Sequence, residues 1–206
     1  HLYLTILLFA CNYVSAVKEA AFVHAISSAG VVDAVGRSCR DGQLSSCGCS
    51  QAARPSELKA EWRWGGCGDN LKYGYKFSQT FVDGREREKK SRKGAKRLKS
   101  RALMNLHNNE AGRRSVFKNS KVKCKCHGVS GSCSLITCWQ QLAPFREIGD
   151  YLFRKYETAA MVKFTHRGKM LIKKSRHRAM PTPEDLVYME NSPDYCERND
   201  LYGSFG

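Results

Sequence analysis

The chain of 206 residues carries 35 Lys and Arg against 19 Asp and Glu, a formal net charge of +16, and ten cysteines. That length suits one domain, or one domain and a piece, and an apolar content of 42% is enough for a packed core. Ten closely spaced cysteines argue against a cytosolic protein and for an oxidising compartment, while spacing alone leaves their pairing open.

Leu2 to Val14 is apolar, and Val14-Ser15-Ala16 reads as a small-residue cleavage site, so residues 1–16 are signal-like or a foreign exon. The missing basic leading region favours the foreign exon, and the segment is too short to span a membrane. Lys18 to Val35 predicts a largely buried helix, because Phe22, Ile26, Ala29 and Val32–Val35 recur at three and four residues; Gly30 weakens it. The stretch to Cys67 is irregular, with turns at Asp41-Gly42 and Pro55, and cysteine pairs stand in for core packing. Trp62 and Trp64 read as core residues over the helix ends.

Asp69 is expected to cap a second helix whose apolar side is Leu71, Tyr75, Phe77, Phe81 and Val82. A basic run then interrupts it, with Gly84 and Gly94 inside. Residues 85–101 hold ten Lys and Arg against Glu86 and Glu88. Helical periodicity returns at Leu98 and continues through Ala102, Leu103, Leu106 and Ala111. The polar group His107, Asn108, Asn109 and Glu110 in its middle is either a partner surface or a set of buried groups bonding neighbouring loops. Further on, Leu142, Phe145, Ile148, Leu152 and Tyr156 predict an amphipathic helix with Pro144 in its first turn. Met161 to Ile172 alternates around Arg167-Gly168, the pattern of a short hairpin. Pro181, Pro183 and Pro193 mark an extended linker. Residues 158–183 add seven Lys and Arg with no acid.

Four cysteines fall between Cys124 and Cys138. Only His127, Gly128, Val129, Ser130, Gly131 and Ser132 separate Cys126 from Cys133, so no core can hold that loop. If Cys126 joins Cys133 and Cys124 joins Cys138, the bridges nest and make a stapled finger with Ser130 near its tip. Gly128 and Gly131 offer backbone freedom at positive φ on either side of it. Such a hydroxyl is presented to something outside the molecule. A zinc site from Cys124, Cys126, His127, Cys133 and Cys138 is disfavoured, because a Cys-x-Cys start is awkward for one tetrahedral ion. A hydrolase with Ser130 as nucleophile and His127 as base lacks an orienting carboxylate and a Gly-x-Ser-x-Gly elbow, so no enzyme is expected. Nucleic-acid binding is disfavoured too, since no aromatic residues interleave with the basic run. For an extracellular chain the matching polyanion is heparan sulfate, bound by Arg85, Arg87, Lys89, Lys90, Arg92, Lys93, Lys96, Arg97, Lys99 and Arg101.

CKCHGVSGSC followed by TCW resembles the lipid-attachment loop of the Wnt family of secreted signalling proteins. SAGVVDAVGRSCRDGQLSSCGC at 28–49, WGGCGDN at 64–70 and MNLHNNEAGRR at 104–114 agree in order and spacing. The last of these, with LVYMENSPDYCERN at 186–199, is most similar to the fifth Wnt subgroup. The resemblance implies a mainly α fold: a helical Wnt N-terminal domain over 17–180 with disulfide-closed β-hairpins, including a lipid-bearing finger at 124–138. Residues 181–206 would then begin a linker to a further C-terminal cysteine-rich domain that this partial chain lacks. It implies the bridges Cys39–Cys47, Cys49–Cys67, Cys124–Cys138 and Cys126–Cys133, leaving Cys11 and Cys196 without local partners. It implies a monounsaturated fatty acyl ester on Ser130 and otherwise no cofactor and no metal. The implied partners are a membrane-bound O-acyltransferase, a Wntless-type carrier, the Frizzled receptor cysteine-rich domain, Ror- or Ryk-type co-receptors and heparan-sulfate proteoglycans. The expected function is that of a secreted ligand in the extracellular space and matrix, signalling independently of β-catenin. The alternative is a heparan-sulfate-binding matrix protein without receptor agonism.

Overall fold

The computed structural model describes residues 16–91, 96–165, 167–172, 180–199 and 204–205. Five helices carry the fold: α1 (Lys18–Arg40), α2 (Leu71–Phe81), α3 (Gly84–Ser91), α4 (Lys96–Lys118) and α5 (Phe145–Glu157). The strands are short: β1 (Arg63–Trp64), β2 (Lys121–Cys126), β3 (Ile136–Gln141), β4 (Ala160–Phe164), β5 (Met170–Ile172), β6 (Val187–Tyr188), β7 (Arg198–Asn199) and β8 (Ser204–Phe205). The architecture is mainly α with disulfide-closed hairpins, as the sequence predicts.

Helix α1 is the axis, and it runs past Val35 to Arg40. Its buried face consists of small residues, Ala21, Ala25, Ser28, Ala29, Val32 and Gly36, at helical spacing. The larger Phe22 and Ile26 lie half-buried at its flanks. Small side chains let two other helices come close. A Cβ at Gly112 of α4 would stand 2.0 Å from the Ala25 carbonyl oxygen, and one at Gly74 of α2 would stand 2.6 Å from the Val32 carbonyl oxygen. Leu71, Val116, Leu142, Ile148, Leu152 and Leu186 complete the main apolar cluster around α1.

The same contact buries charge. Asp83, between α2 and α3, receives Arg113 Nη1 and Nη2 of α4 at 3.0 Å each. Arg113 Nη1 also reaches Ser28 Oγ at 3.3 Å, and Ser28 Oγ donates to the Asn109 carbonyl at 2.9 Å. Asn109 Nδ2 donates to Asp83 at 3.0 Å. Below this network, the buried Glu86 accepts from Lys89 Nζ at 2.6 Å and Asn105 Nδ2 at 3.2 Å. Burial pushes the neighbouring His24 below its usual range, against the opposing pull of Glu86. Breaking a buried pair such as Arg113–Asp83 typically costs about 3–5 kcal/mol, because the surviving charge is stranded.

The polar group in α4 therefore serves the interior. Asn108 Nδ2 donates to the Val187 carbonyl and Asn108 Oδ1 accepts from Val187 N, both at 2.9 Å. His107 Nε2 lies 2.8 Å from the Asp185 carbonyl oxygen, and Glu110 accepts from Tyr75, Arg113 and Arg114. These contacts overturn the partner-surface reading for His107, Asn108, Asn109 and Glu110.

Other sequence expectations need correction. Asn70, not Asp69, caps α2, its side chain accepting from Tyr73 N at 3.1 Å. Asp69 is instead buried, and its carboxylate accepts from the Leu142 amide. The basic run does not simply interrupt a helix, because part of it forms α3, anchored by the buried Glu86. Phe77 and Phe81 are exposed, and their rings stack on each other at 5.7 Å rather than facing the core. Trp62 and Trp64 are only half-buried, and Trp64 Nε1 donates to the Ala52 carbonyl at 2.8 Å.

The later segments close over the helices. Pro144 precedes α5, which turns Ile148 and Leu152 inward. β4 pairs antiparallel with β5 and parallel with β6. After Pro181 the chain does not run on as an extended linker: it turns where Asp185 N donates to the Thr182 carbonyl at 3.1 Å, and Leu186 and Val187 are fully buried. The amides of Met189 and Glu190 both donate to the Ala16 carbonyl, at 2.8 and 3.0 Å.

Two outcomes follow from this packing. Gly112→Ala is expected to lower stability by about 1–3 kcal/mol, because the added methyl meets fixed backbone rather than a movable side chain; urea unfolding measures it. Burial raises the Asp185 carboxyl, but bonds from Lys155 Nζ and from Thr182 Oγ1 and N outweigh it and hold the group down at about 2. A depressed acid contributes stability that is present above its unfolded value near 3.8 and is lost as pH falls toward about 2. Asp185→Asn should flatten that limb of a pH–stability curve.

Candidate functional site: a twice-bridged hairpin

β2 and β3 pair antiparallel over six register positions, from Lys121 opposite Gln141 to Cys126 opposite Ile136. β1 lies parallel on the far side of β3, so β3 is central and β2 forms an edge. Cys124 and Cys138 are register partners and are joined by a disulfide; a second disulfide, Cys126–Cys133, closes the loop beyond the ladder. The root is tied to the helical body. Asp69 Oδ2 accepts from Leu142 N at 2.7 Å, Arg40 Nη1 lies 2.8 Å from Asp69 Oδ1, and Asp69 N donates to the Gln140 carbonyl at 3.1 Å. Two further bridges, Cys39–Cys47 and Cys49–Cys67, brace the irregular segment between α1 and this root.

At the tip, Val129–Gly131 forms one tight 3₁₀ turn. Gly131 N donates to the Gly128 carbonyl at 2.9 Å, Ser132 N to the Val129 carbonyl at 3.1 Å, and Gly128 N to the Ser132 carbonyl at 2.7 Å. Ser130 has φ 54° and ψ 28°, and among the described residues no other non-glycine has positive φ. Holding an L-residue there costs on the order of 1 kcal/mol, which the surrounding bonds and bridge must offset. Gly131 shares the left-handed region at φ 78°, as the sequence suggests. Gly128 does not: it is extended at φ −66°, and its missing side chain matters because a Cβ would stand 2.5 Å from the Ser132 carbonyl oxygen.

The consequence is a presented hydroxyl. Ser130 is exposed, and no hydrogen bond among the described residues engages its side chain. Val129 beside it is 90% exposed. His127 is exposed, no carboxylate occurs in 121–141, and no hydrogen bond among the described residues engages the His127 ring. The four bridged sulfurs have no thiolate to offer a metal.

The ten basic residues assigned to heparan sulfate are divided by the structure. Arg85, Arg87, Lys89 and Lys90 lie on α3, whereas Lys96, Arg97, Lys99 and Arg101 begin α4; Arg92 and Lys93 fall outside the described residues. Arg97 and Arg101 both reach Glu190, at 3.2 and 3.7 Å, and Arg87 lies 3.6 Å from Asp83. Lys90 and Lys96 are exposed. Cys196 is exposed and unbridged, and Cys11 lies outside the described residues.

Sequence reasoning missed the left-handed Ser130 and the buried Asp69 at the root. Asp69 depends on a distant segment, the amide of Leu142, whereas Ser130 takes its conformation from the tight turn inside the Cys126–Cys133 loop. Replacing Cys126 and Cys133 together by Ser should release the tip. Amide hydrogen exchange at Gly128, Gly131 and Ser132 is expected to accelerate at least about tenfold, with α1 and α4 protection unchanged.

A family model described as the wnt family matches residues 7–206, starting ahead of Val17 inside the leading segment. Protein Wnt-5b of Mus musculus is 60% identical over 189 residues, covering 92% of this chain and 52% of that protein. Protein Wnt-5a of Ambystoma mexicanum is 59% identical over the same shares. The chain thus spans about half the length of the curated relatives it matches. Among solved structures, a chain of human WLS in complex with WNT8A gives a TM-score of 0.63 at 41% identity, over 93% of this chain and 58% of that one. The Drosophila WntD N-terminal domain-linker gives 0.53 at 20% identity, over 88% and 77%, a likeness of fold alone. The twice-bridged hairpin on a helical body, together with these matches, places the chain in the Wnt family, with its Wnt-5 relatives.

Proposed function

We propose that the chain is the N-terminal part of a secreted Wnt signalling ligand whose contact group is a monounsaturated fatty acyl ester on Ser130. The observation that carries this reading is Ser130 itself: an exposed hydroxyl without a hydrogen-bond partner among the described residues, held at positive φ on a doubly cross-linked tip. A membrane-bound O-acyltransferase can enclose such a tip without unfolding it. The acyl chain then enters an apolar groove on a Frizzled cysteine-rich domain. Each buried methylene contributes about 0.8 kcal/mol, so a chain of around a dozen supplies roughly 10 kcal/mol before association losses. The bridges limit the ordering entropy lost on docking.

A lipid-bearing ligand needs shielding during export, and the fold shared with WNT8A, which is found in complex with human WLS, supports a Wntless-type carrier. Likeness to Wnt-5a and Wnt-5b supports Ror- or Ryk-type co-receptors and β-catenin-independent signalling. No helix among the described residues is long and apolar enough to cross a membrane. A second reading, matrix retention through heparan-sulfate proteoglycans without receptor agonism, is favoured by the exposed Lys90 and Lys96 on adjoining helices.

Intact-mass and peptide analysis of the secreted full-length protein should find a fatty acyl adduct on Ser130. Ser130→Ala should remove the adduct and Frizzled-dependent signalling, while Lys90→Gln with Lys96→Gln should lower only the salt needed to elute from heparin. An unmodified Ser130 in actively signalling material rejects the acyl reading.

A further inference from the structure

The finger has chemistry beyond its serine. Residues 121–141 contain Lys121, Lys123 and Lys125 and not one Asp or Glu. Because side chains alternate along a strand, the β2 register puts all three lysines on one face, opposite Gln141, Trp139 and Thr137. Lys121 reaches across to Glu147 at 2.5 Å, whereas Lys123 and Lys125, nearer the tip, are exposed with no acidic partner among the described residues. Two apolar side chains are exposed at the same end. Val129 is 90% exposed and Leu135 48% exposed, the first in the tip turn and the second just past Cys133. A hairpin with an apolar tip and a cationic shaft matches the depth profile of an anionic lipid surface, where hydrocarbon lies beneath a layer of negative headgroups.

We infer that the finger itself binds lipid surfaces bearing anionic headgroups: Val129 enters the acyl boundary while Lys123 and Lys125 engage the headgroups, even before any acyl chain is attached. This deepens the reading of the same site, since it places the Ser130 hydroxyl at the depth where a membrane-embedded acyltransferase works. Lysine on an edge strand also discourages pairing with other chains. That role alone explains neither the exposed Val129 nor the absence of acids throughout the hairpin.

The test uses the full chain carrying Ser130→Ala, so that no acyl chain contributes, with Val129→Trp as a depth reporter. The probes are vesicles of 30% phosphatidylserine in phosphatidylcholine, and pure phosphatidylcholine, each with brominated acyl chains. Bromine quenching of the added indole, taken against Ser130→Ala alone, is expected on the anionic vesicles and at least about fivefold weaker on the neutral ones. Lys123→Glu with Lys125→Glu should weaken the apparent affinity by roughly tenfold or more, since each lysine near such a surface contributes a several-fold factor. Lys123→Arg with Lys125→Arg should restore it, and disulfide mapping checks that both variants keep their bridges. Lys90→Glu with Lys96→Glu should leave quenching intact. Vesicle binding without tip quenching, quenching indifferent to Lys123 and Lys125, or equal quenching on neutral vesicles would each overturn the inference. Since Ser130 is absent from these proteins, none of those outcomes bears on acylation, which is read separately from the mass of secreted wild type.

Discussion

A guanidinium in the interior decides how this molecule is assembled. Arg113 is almost wholly removed from water, and its fork closes on Asp83 with Ser28 and Glu110 filling the remaining directions. Those partners lie on α1, on α4 itself and between α2 and α3, so one cation draws three separate parts of the chain to a point. The arrangement is possible only because the neighbouring contact is made of small residues. Where Gly112 meets the Ala25 carbonyl, the backbones are close enough for short polar side chains to bridge them. Apolar burial supplies most of the stabilisation in such a body. The charge network selects which helix sits against which, because another register would part Arg113 from Asp83 and leave each only its local partner, Glu110 or Arg87.

The hairpin is built on the opposite plan. Its exposed strand β2 contributes little to any core, and order comes from two covalent links and a few backbone bonds. Division of labour follows. The helical body fixes the root through Asp69 and its bond to Leu142, and the bridges carry that rigidity outward to an exposed turn. Strain at Ser130 is tolerated because the turn has no easier way to close between Cys126 and Cys133. An exposed tip has few neighbours to buttress it, so cross-links replace them.

Much of this was legible from sequence, and the exceptions share a cause. Helices α1, α4 and α5 announced themselves through periodicity, and the hairpin of β4 and β5 through alternation around Arg167-Gly168. The bridges came from family resemblance, since spacing left the pairing open. Phe77 and Phe81 misled because periodicity reports one apolar face but not whether another element arrives to cover it. Asp69 looked like a cap because Asp before an apolar run often is one; its real partner, the amide of Leu142, lies 73 residues away. Gly128 was assigned the wrong glycine property, conformational freedom in place of absent bulk. Long-range polar contacts leave no local trace, and here they govern both the interior and the finger's root.

The pinning of Ala16 by Met189 and Glu190, with Ser192 closing on Glu19 across 173 residues of sequence, bears on biosynthesis. Helix α1 finds the clasp for its leading turn in residues made 173 positions later. Its alanine face stays uncovered until α4 follows, and β6 arrives later still. Contacts of such span form slowly, and exposed apolar surface invites association meanwhile. Vectorial synthesis therefore leaves this face uncovered while the intervening residues emerge, and mispairing among Cys39, Cys47, Cys49 and Cys67 is the accompanying hazard.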